Sequence, residues 1–172
     1  MEAIPLLRQQ IHETHEMLEG TMNDVTPDQA QWSPGGRASP LGAQYAHIIA
    51  GEDVFINMFV RGSQPLLMSS FAGKAGMSEP PPMGDWGDWA ARLKVDLSAL
   101  RKYAQAVYQN TTDYVASLQP EDLQREIDLS AVGLGKQNLG WVLTAIAITH
   151  PASHCGEISC LKGLQGAKGY PF

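Results

Sequence analysis

The chain has 172 residues, of which 44% are hydrophobic, so it can bury one substantial core and gives no reason to expect a second domain. Its formal net charge is −6, without a cluster of Lys or Arg, which argues against nucleic acid and membranes as partners. One domain over residues 1–172 that acts on a small molecule or associates with itself is therefore expected.

The first predicted element is a helix that begins near Pro5 and ends within 20–23. Its apolar residues recur at helical spacing, at Ile4, Leu7, Ile11, Leu18 and Met22. His12 lies beside the glutamates of this helix, and His15 only approaches the apolar stripe. We therefore expect both to be solvated or boundary histidines.

A connector without a strand pattern follows over 26–39. Ser39 and Pro40 are a suitable N-cap and first residue for a second helix over 41–60, which is apolar on most of its circumference. The segment 61–84 is rich in Gly, Pro, Ser and Met and is expected to be largely irregular. With Trp86 and Trp89, its methionines would form either an adaptable lid over an apolar substrate or a linker packed by its own side chains.

A third helix, capped by Asp85 or Asp88, is predicted to continue to Pro120. The segment 121–135 mixes turn residues with a short alternation that suits extended or irregular structure. A fourth helix is predicted over 137–164. Four helices of bundle length without a convincing sheet indicate an all-α fold, a four-helix bundle.

Two further features concern the environment of the protein. Cys155 and Cys160 are five residues apart on the fourth helix, so their side chains diverge and no disulfide is expected. The first ten residues lack the apolar core of a signal peptide, and the most apolar stretch, 139–149, is too short to span a bilayer. A cytoplasmic location is the expectation.

His150 and His154 carry the strongest chemical signal in the sequence. Residues four apart share one face of a helix, with Cβ atoms about 5–6 Å apart, so two imidazoles can reach one ion. Both lie on the apolar stripe of the fourth helix, and His47 lies within the apolar second helix. Three imidazoles and one open position are the ligand set of catalytic zinc, although nickel, iron or manganese also accept histidine. Three core histidines satisfied by hydrogen bonds are the alternative, which the spacing leaves open.

Pro151 stands directly after the first histidine of the pair and removes a helical hydrogen bond to the carbonyl of Ala147. A kink at this point would tune the ligand angle, or the freed carbonyl would accept a bond from an imidazole N–H. A tolerated irregularity is the alternative interpretation.

Three short motifs, Trp32-Ser33-Pro34, the segment 45–52 around His47 and the segment 150–158, carry a family resemblance. With them the sequence resembles the DinB-like family, a group of four-helix metal-binding proteins unrelated to the DNA polymerase of similar name. The resemblance spans nearly the whole chain. It implies a bundle with long crossover connections and frequent homodimers.

The resemblance also implies a ligand set, namely a divalent metal ion, zinc or nickel, held by His47, His150 and His154. Two features depart from the family pattern. One is Pro151, and the other is Cys155-Gly156-Glu157, which stands where relatives often carry Arg-Gly-Gln. The second departure removes a positive charge beside the ligands and adds a thiol and a carboxylate.

Characterised members of the family are thiol transferases, including bacillithiol-dependent enzymes, and a mycothiol-dependent maleylpyruvate isomerase. By analogy, the resemblance implies a metal-dependent S-transferase that acts on a small molecule with a low-molecular-weight thiol. A metal-dependent hydrolase with the same ligands and a non-catalytic dimeric bundle are the alternatives. Glu52 and Glu157 lie within about two helical turns of a ligand and are the candidate proton-transfer groups, although each is also typical of an ordinary polar helix residue.

Overall fold

The computed structural model describes residues 2–172, most of which are helical. The α-helices are α1 (Ala3–Met22), α2 (Pro27–Gln31), α3 (Leu41–Asp53), α4 (Gly87–Arg92), α5 (Leu97–Ala116), α6 (Leu139–Thr144) and α7 (His150–Leu164). Two π-helical segments lengthen them: Val54–Val60 extends α3, and Ala145–Thr149 joins α6 to α7. Short 3-10 turns are Leu66–Met68, Pro120–Gln124 and Ser130–Val132. Among the described helices, none is both long enough and apolar enough to cross a bilayer.

The long helices pack side by side around a common core. Both α1 and α3 pack against α5 and α7. Each of the four contributes fully buried side chains to this core, among them Leu18, Ile48, Leu100 and Ile158. Burying one such side chain stabilises the fold by about 1.5–3 kcal/mol, so the burial of these side chains holds the four helices together.

The first, second and fourth predicted helices are confirmed within a few residues, with one error at a cap. The N-cap of α3 is Pro40, without a side-chain hydrogen bond, so the prediction that Ser39 caps this helix is wrong. Instead, the Ser39 carbonyl accepts a bond from the Gln44 side chain at 3.2 Å. The connector 26–39 contains α2, because Thr26 and Gln29 form a capping box around a proline that suits a first helical turn.

The predicted third helix is interrupted, so the single helix expected up to Pro120 is wrong. Between α4 and α5 the chain is extended, and the Lys94 carbonyl accepts a bond from the Ser78 N–H at 2.9 Å. Asp96 then caps α5 by accepting bonds from the first backbone N–H groups of that helix. Because the loop and this cap satisfy the backbone groups, the chain leaves the helix at little cost.

A two-stranded hairpin corrects the expectation that no sheet is present. Strand β1 (Glu126–Leu129) pairs antiparallel with β2 (Gly135–Asn138), with Ile127 opposite Gln137. Ile127 and Leu129 face the core, so the alternation seen in the sequence reflects a half-buried strand. Strand β2 takes the first residues of the predicted fourth helix, and Asn138 caps α6 by accepting a bond from the Trp141 N–H at 2.7 Å.

Candidate metal centre

The structure brings His47 of α3 together with His150 and His154 of α7. One ring nitrogen from each lies within 4.8 Å of the others, and His47 Nε2 and His150 Nε2 are 3.1 Å apart. A tetrahedral ion with metal–nitrogen bonds of about 2.0–2.1 Å holds its ligand atoms roughly 3.3 Å apart. The largest separation exceeds that value by no more than about 1.5 Å, which side-chain rotation can remove. The three residues therefore fit a metal ion.

The backbone before His150 absorbs Pro151 through the π-helical segment. The His150 N–H donates to the carbonyl of Ala145, five residues earlier, and α7 continues from there. This wider turn removes the steric conflict that a proline creates in a regular helix, and such turns occur often at functional sites. The carbonyl of Ala147, which Pro151 leaves without its helical donor, accepts no hydrogen bond from His150 Nδ1, because that nitrogen has no hydrogen-bond partner among the described residues.

Burial keeps two of the three histidines neutral. It lowers the pKa of His47 to about 3 and that of His150 to about 4, chiefly by disfavouring the charged ring. The neighbouring histidines lower both values further, because cationic rings at this distance repel each other. At neutral pH these rings carry lone pairs, which is the form that binds a metal ion.

Glu157 orients the third ring. Its Oε2 lies 2.7 Å from His154 Nδ1, while Gln44 Oε1 is farther away at 3.4 Å. In the tautomer whose Nδ1–H donates a hydrogen bond to the carboxylate, the neutral His154 ring has its lone pair on Nε2. A carboxylate in this position also raises the basicity of the imidazole as a ligand.

Trp86 covers the other side of the site. Its ring stacks on that of His47, with centroids 4.2 Å apart and planes inclined by 6°, and meets His154 edge-on at 6.0 Å. Trp89 is buried in the core and donates from Nε1 to the Glu79 carbonyl at 3.2 Å. Of the two tryptophans suggested for a lid, only Trp86 stacks on or lies edge-on to a candidate ligand among the described aromatic pairs.

Glu52 forms its hydrogen bond with His15 and not with a candidate ligand. It is fully buried, and its Oε2 lies 2.9 Å from His15 Nε2. The expectation that His15 is solvated or at the boundary is wrong, because the ring is enclosed and stacks on Tyr108 at 3.9 Å. A role for Glu52 in proton transfer stays a prediction.

Gln44 and Asp53 were not singled out from the sequence. Gln44 sits three residues before His47, the spacing that places it on the same helix face, and this spacing could have indicated it. The carboxylate of Asp53 accepts bonds from the N–H groups of Leu66 and Leu67 and from the Tyr103 hydroxyl. Asp53 thereby fastens the long loop to α3, which no local sequence pattern reveals.

The two cysteines are free thiols in different surroundings. Cys155 is buried, and burial raises its pKa to about 11. Cys160 is exposed and lines a cavity of about 490 Å³ beside the site, together with Gln44, Trp86 and Glu157. A thiol as deeply buried as Cys155 is a poor nucleophile, because the thiolate is the reactive form.

Comparison with known proteins gives a family and a fold. The family model of the DinB superfamily matches residues 10–158. A crystal structure of a conserved protein from Enterococcus faecalis superimposes with a TM-score of 0.79 at 22% identity, covering 95% of this chain and 97% of that one. This likeness shows a shared fold. A comparison with curated proteins gives no match.

Proposed function

Because the chain belongs to the DinB superfamily, we propose that His47, His150 and His154 hold a divalent metal ion, zinc or nickel, for a transfer reaction on a small molecule. The observation that carries the proposal is the convergence of the three imidazoles from two helices. Helical bundles build metal sites from side chains on facing helices, and neutral imidazoles are ligands for zinc. A bundle with long crossover connections and a homodimeric assembly, as in relatives, belong to the same proposal.

The residues around the three histidines have separate roles in the proposed reaction. A bound metal ion would supply a Lewis acid that lowers the pKa of a thiol or a water molecule in the open position. Glu157 holds the His154 ring through Nδ1, and its exposed carboxylate can also accept a proton released close to that ring. Glu157 suits proton transfer better than Glu52, which is enclosed with His15. Trp86 packs against His47 and limits the access of water to that ligand.

We infer a thiol-dependent S-transferase from the activities of characterised relatives, with a low-molecular-weight thiol as the second substrate. A metal-dependent hydrolase would use the same three histidines and the same Glu157, with water in place of the thiol. The two reactions differ in whether turnover requires a thiol, and that requirement decides between them.

The first test is metal content. The purified protein is reconstituted with zinc or nickel, dialysed and analysed beside His47→Ala, His150→Ala and His154→Ala variants. His12→Ala is the matched control, because His12 is exposed on α1. We expect near-stoichiometric metal in the parent and the control and at least about tenfold less retained metal in the three variants. A parent that binds no metal would refute the proposal.

The second test is the reaction. The loaded protein is assayed with glutathione or cysteine and an aryl halide, and separately with aryl esters without thiol. We expect accelerated thiol transfer in the parent and background rates for His154→Ala. If the protein hydrolyses esters without a thiol, the proposed activity is a hydrolase and not a transferase. Full metal loading without either activity would leave a metal-binding bundle and overturn the catalytic proposal.

A further inference from the structure

The cavity of about 490 Å³ beside the candidate metal centre combines an apolar wall with one positive and one negative side chain. Much of its wall is apolar, formed by Trp86, Leu161 and Leu164. Among its lining residues, Arg37 is the single cation and Glu157 the single anion. Its volume lies within the range of about 300–1,000 Å³ that is typical of small-molecule sites.

Arg37 brings an uncompensated charge to this cavity. Within residues 2–172, arginine and lysine form ion pairs only at Arg92, Lys136 and Lys162, so the exposed guanidinium of Arg37, like those of several other basic residues, has no carboxylate partner. The turn before Arg37 is fixed by two glycines with positive φ, Gly35 at 85° and Gly36 at 66°, a conformation that other residues rarely adopt. This turn places Arg37 at the cavity.

Trp86 links the cavity to the candidate metal centre. The same ring that stacks on His47 at 4.2 Å also lines the cavity, as does the Glu157 side chain that bonds His154. A molecule bound in the cavity therefore lies one residue away from the imidazoles. It also contacts the two side chains that support them.

We propose that this cavity binds the small-molecule substrate, and that this substrate is an apolar or aromatic carboxylic acid. The guanidinium of Arg37 is planar and permanently charged, and it pairs with a carboxylate through two parallel hydrogen bonds. Glu157 repels an anion, so the carboxylate lies at Arg37 and the apolar end points toward Glu157 and His154. Trp86, Leu161 and Leu164 receive the apolar body. The inference rests on the proposed function for the use of the site, but the binding itself does not require the metal.

A pair of matched probes tests the charge requirement. 2-Naphthoate and 2-naphthamide have nearly the same shape, and only the first is anionic. Isothermal titration calorimetry of the metal-free protein should give an affinity for naphthoate at least about tenfold higher than for naphthamide, as an Arg–carboxylate pair provides. Arg37→Gln should bring both probes to the affinity of the amide, and Arg8→Gln, an exposed arginine on α1, should leave the tenfold preference intact.

A second variant tests the apolar wall. Leu164 is 64% exposed, so Leu164→Ser should leave the fold unchanged and weaken both probes by a similar factor. Equal affinities of the two probes in the parent, or a naphthoate preference that survives Arg37→Gln, would overturn the proposal. Failure of the metal site would show instead as absent metal in the parent, with naphthoate binding retained, so the two proposals fail separately.

Discussion

Glu157 Oε2 lies 2.7 Å from His154 Nδ1 and accepts a hydrogen bond from that ring nitrogen, which links a departure from the family pattern to a candidate ligand. The family resemblance leads one to expect glutamine at the position of Glu157, so this chain has a charged acceptor where a neutral one is expected, at a residue that touches the site. A carboxylate bonded to an imidazole raises its basicity more than an amide does. The substitution therefore bears on how tightly His154 holds a metal ion.

The first prediction concerns the strength of that support. Glu157→Ala removes the acceptor and should weaken zinc binding about 10–100-fold, the usual effect of losing such a partner. Glu157→Gln keeps an acceptor without the charge and should have a smaller effect. Competition with a chromophoric chelator measures both affinities. Glu121→Ala, an exposed glutamate on another segment, is the control, and equal affinities in all four proteins would contradict the role assigned to Glu157.

The second prediction is an acid-induced loss of stability in the metal-free protein. The pKa values of His47 and His150 are lowered to about 3 and about 4, whereas an unfolded histidine titrates near about 6.5. Below about 6.5 the unfolded state binds more protons, so stability is complete above that pH and is lost as the pH falls toward the folded values. Urea unfolding at about pH 7 and about pH 5 should differ by at least roughly tenfold in the unfolding equilibrium constant.

The matched variants for this pH effect are a double substitution and a surface control. His47→Asn combined with His150→Asn should reduce the loss of stability between the two pH values, because two neutral buried rings no longer titrate. His12→Asn should leave it unchanged, since His12 is exposed. An identical pH dependence in the parent and the double variant would show that the acid sensitivity lies elsewhere.

The local part of the fold was predictable, and the non-local part was not. Helical spacing of apolar residues predicts most of the long helices and places each of the three histidines within an apolar helix or on its apolar stripe, because this periodicity is a local property of the sequence. The break between α4 and α5 depends on pairing with Ser78, which is remote in sequence from Lys94. Likewise, the burial of His15 depends on Tyr108 of another helix, so a position at the edge of an apolar stripe does not determine it.

The same distinction applies to the site. The spacing of His150 and His154 predicted that they share a helix face, and their meeting with His47 needed the packing of α3 on α7. The contacts of Trp86 and Arg37 come from loops, whose course no periodicity describes. Ligands on regular elements can therefore be predicted from the sequence, whereas the residues that surround them require the tertiary structure.

The third prediction separates the two thiols. Burial raises the pKa of Cys155 to about 11, so its thiolate is scarce at about pH 8, whereas Cys160 is exposed. One thiol per chain should react rapidly with Ellman's reagent, and both should react in urea. Cys160→Ser should abolish the rapid phase and Cys155→Ser should preserve it. Two rapid equivalents in the folded protein would contradict the burial of Cys155.

The fourth prediction assigns a structural role to the buried pair of His15 and Glu52. The Glu52 side chain is fully enclosed, one oxygen meets His15 Nε2, and the other has no partner among the described residues. Removing either partner leaves the other polar group buried without a hydrogen bond, which costs about 1–3 kcal/mol or more. His15→Ala and Glu52→Ala should each lower the free energy of unfolding in urea by at least about 1–3 kcal/mol. The double variant should lose less than the sum, because neither group is then left alone.

Two further variants distinguish this structural role from the predicted part of Glu52 in proton transfer. His15→Gln retains a donor for Glu52 and should recover part of the stability, whereas His12→Ala on the exposed face should change it by less than about 0.5 kcal/mol. If Glu52 only positions α1 against α3, Glu52→Gln should lower stability while metal content and turnover of the folded fraction stay near those of the parent. If Glu52→Gln instead keeps its stability and metal but loses turnover at least about a hundredfold, the typical contribution of a general acid or base, then Glu52 takes part in the reaction and the structural assignment is wrong.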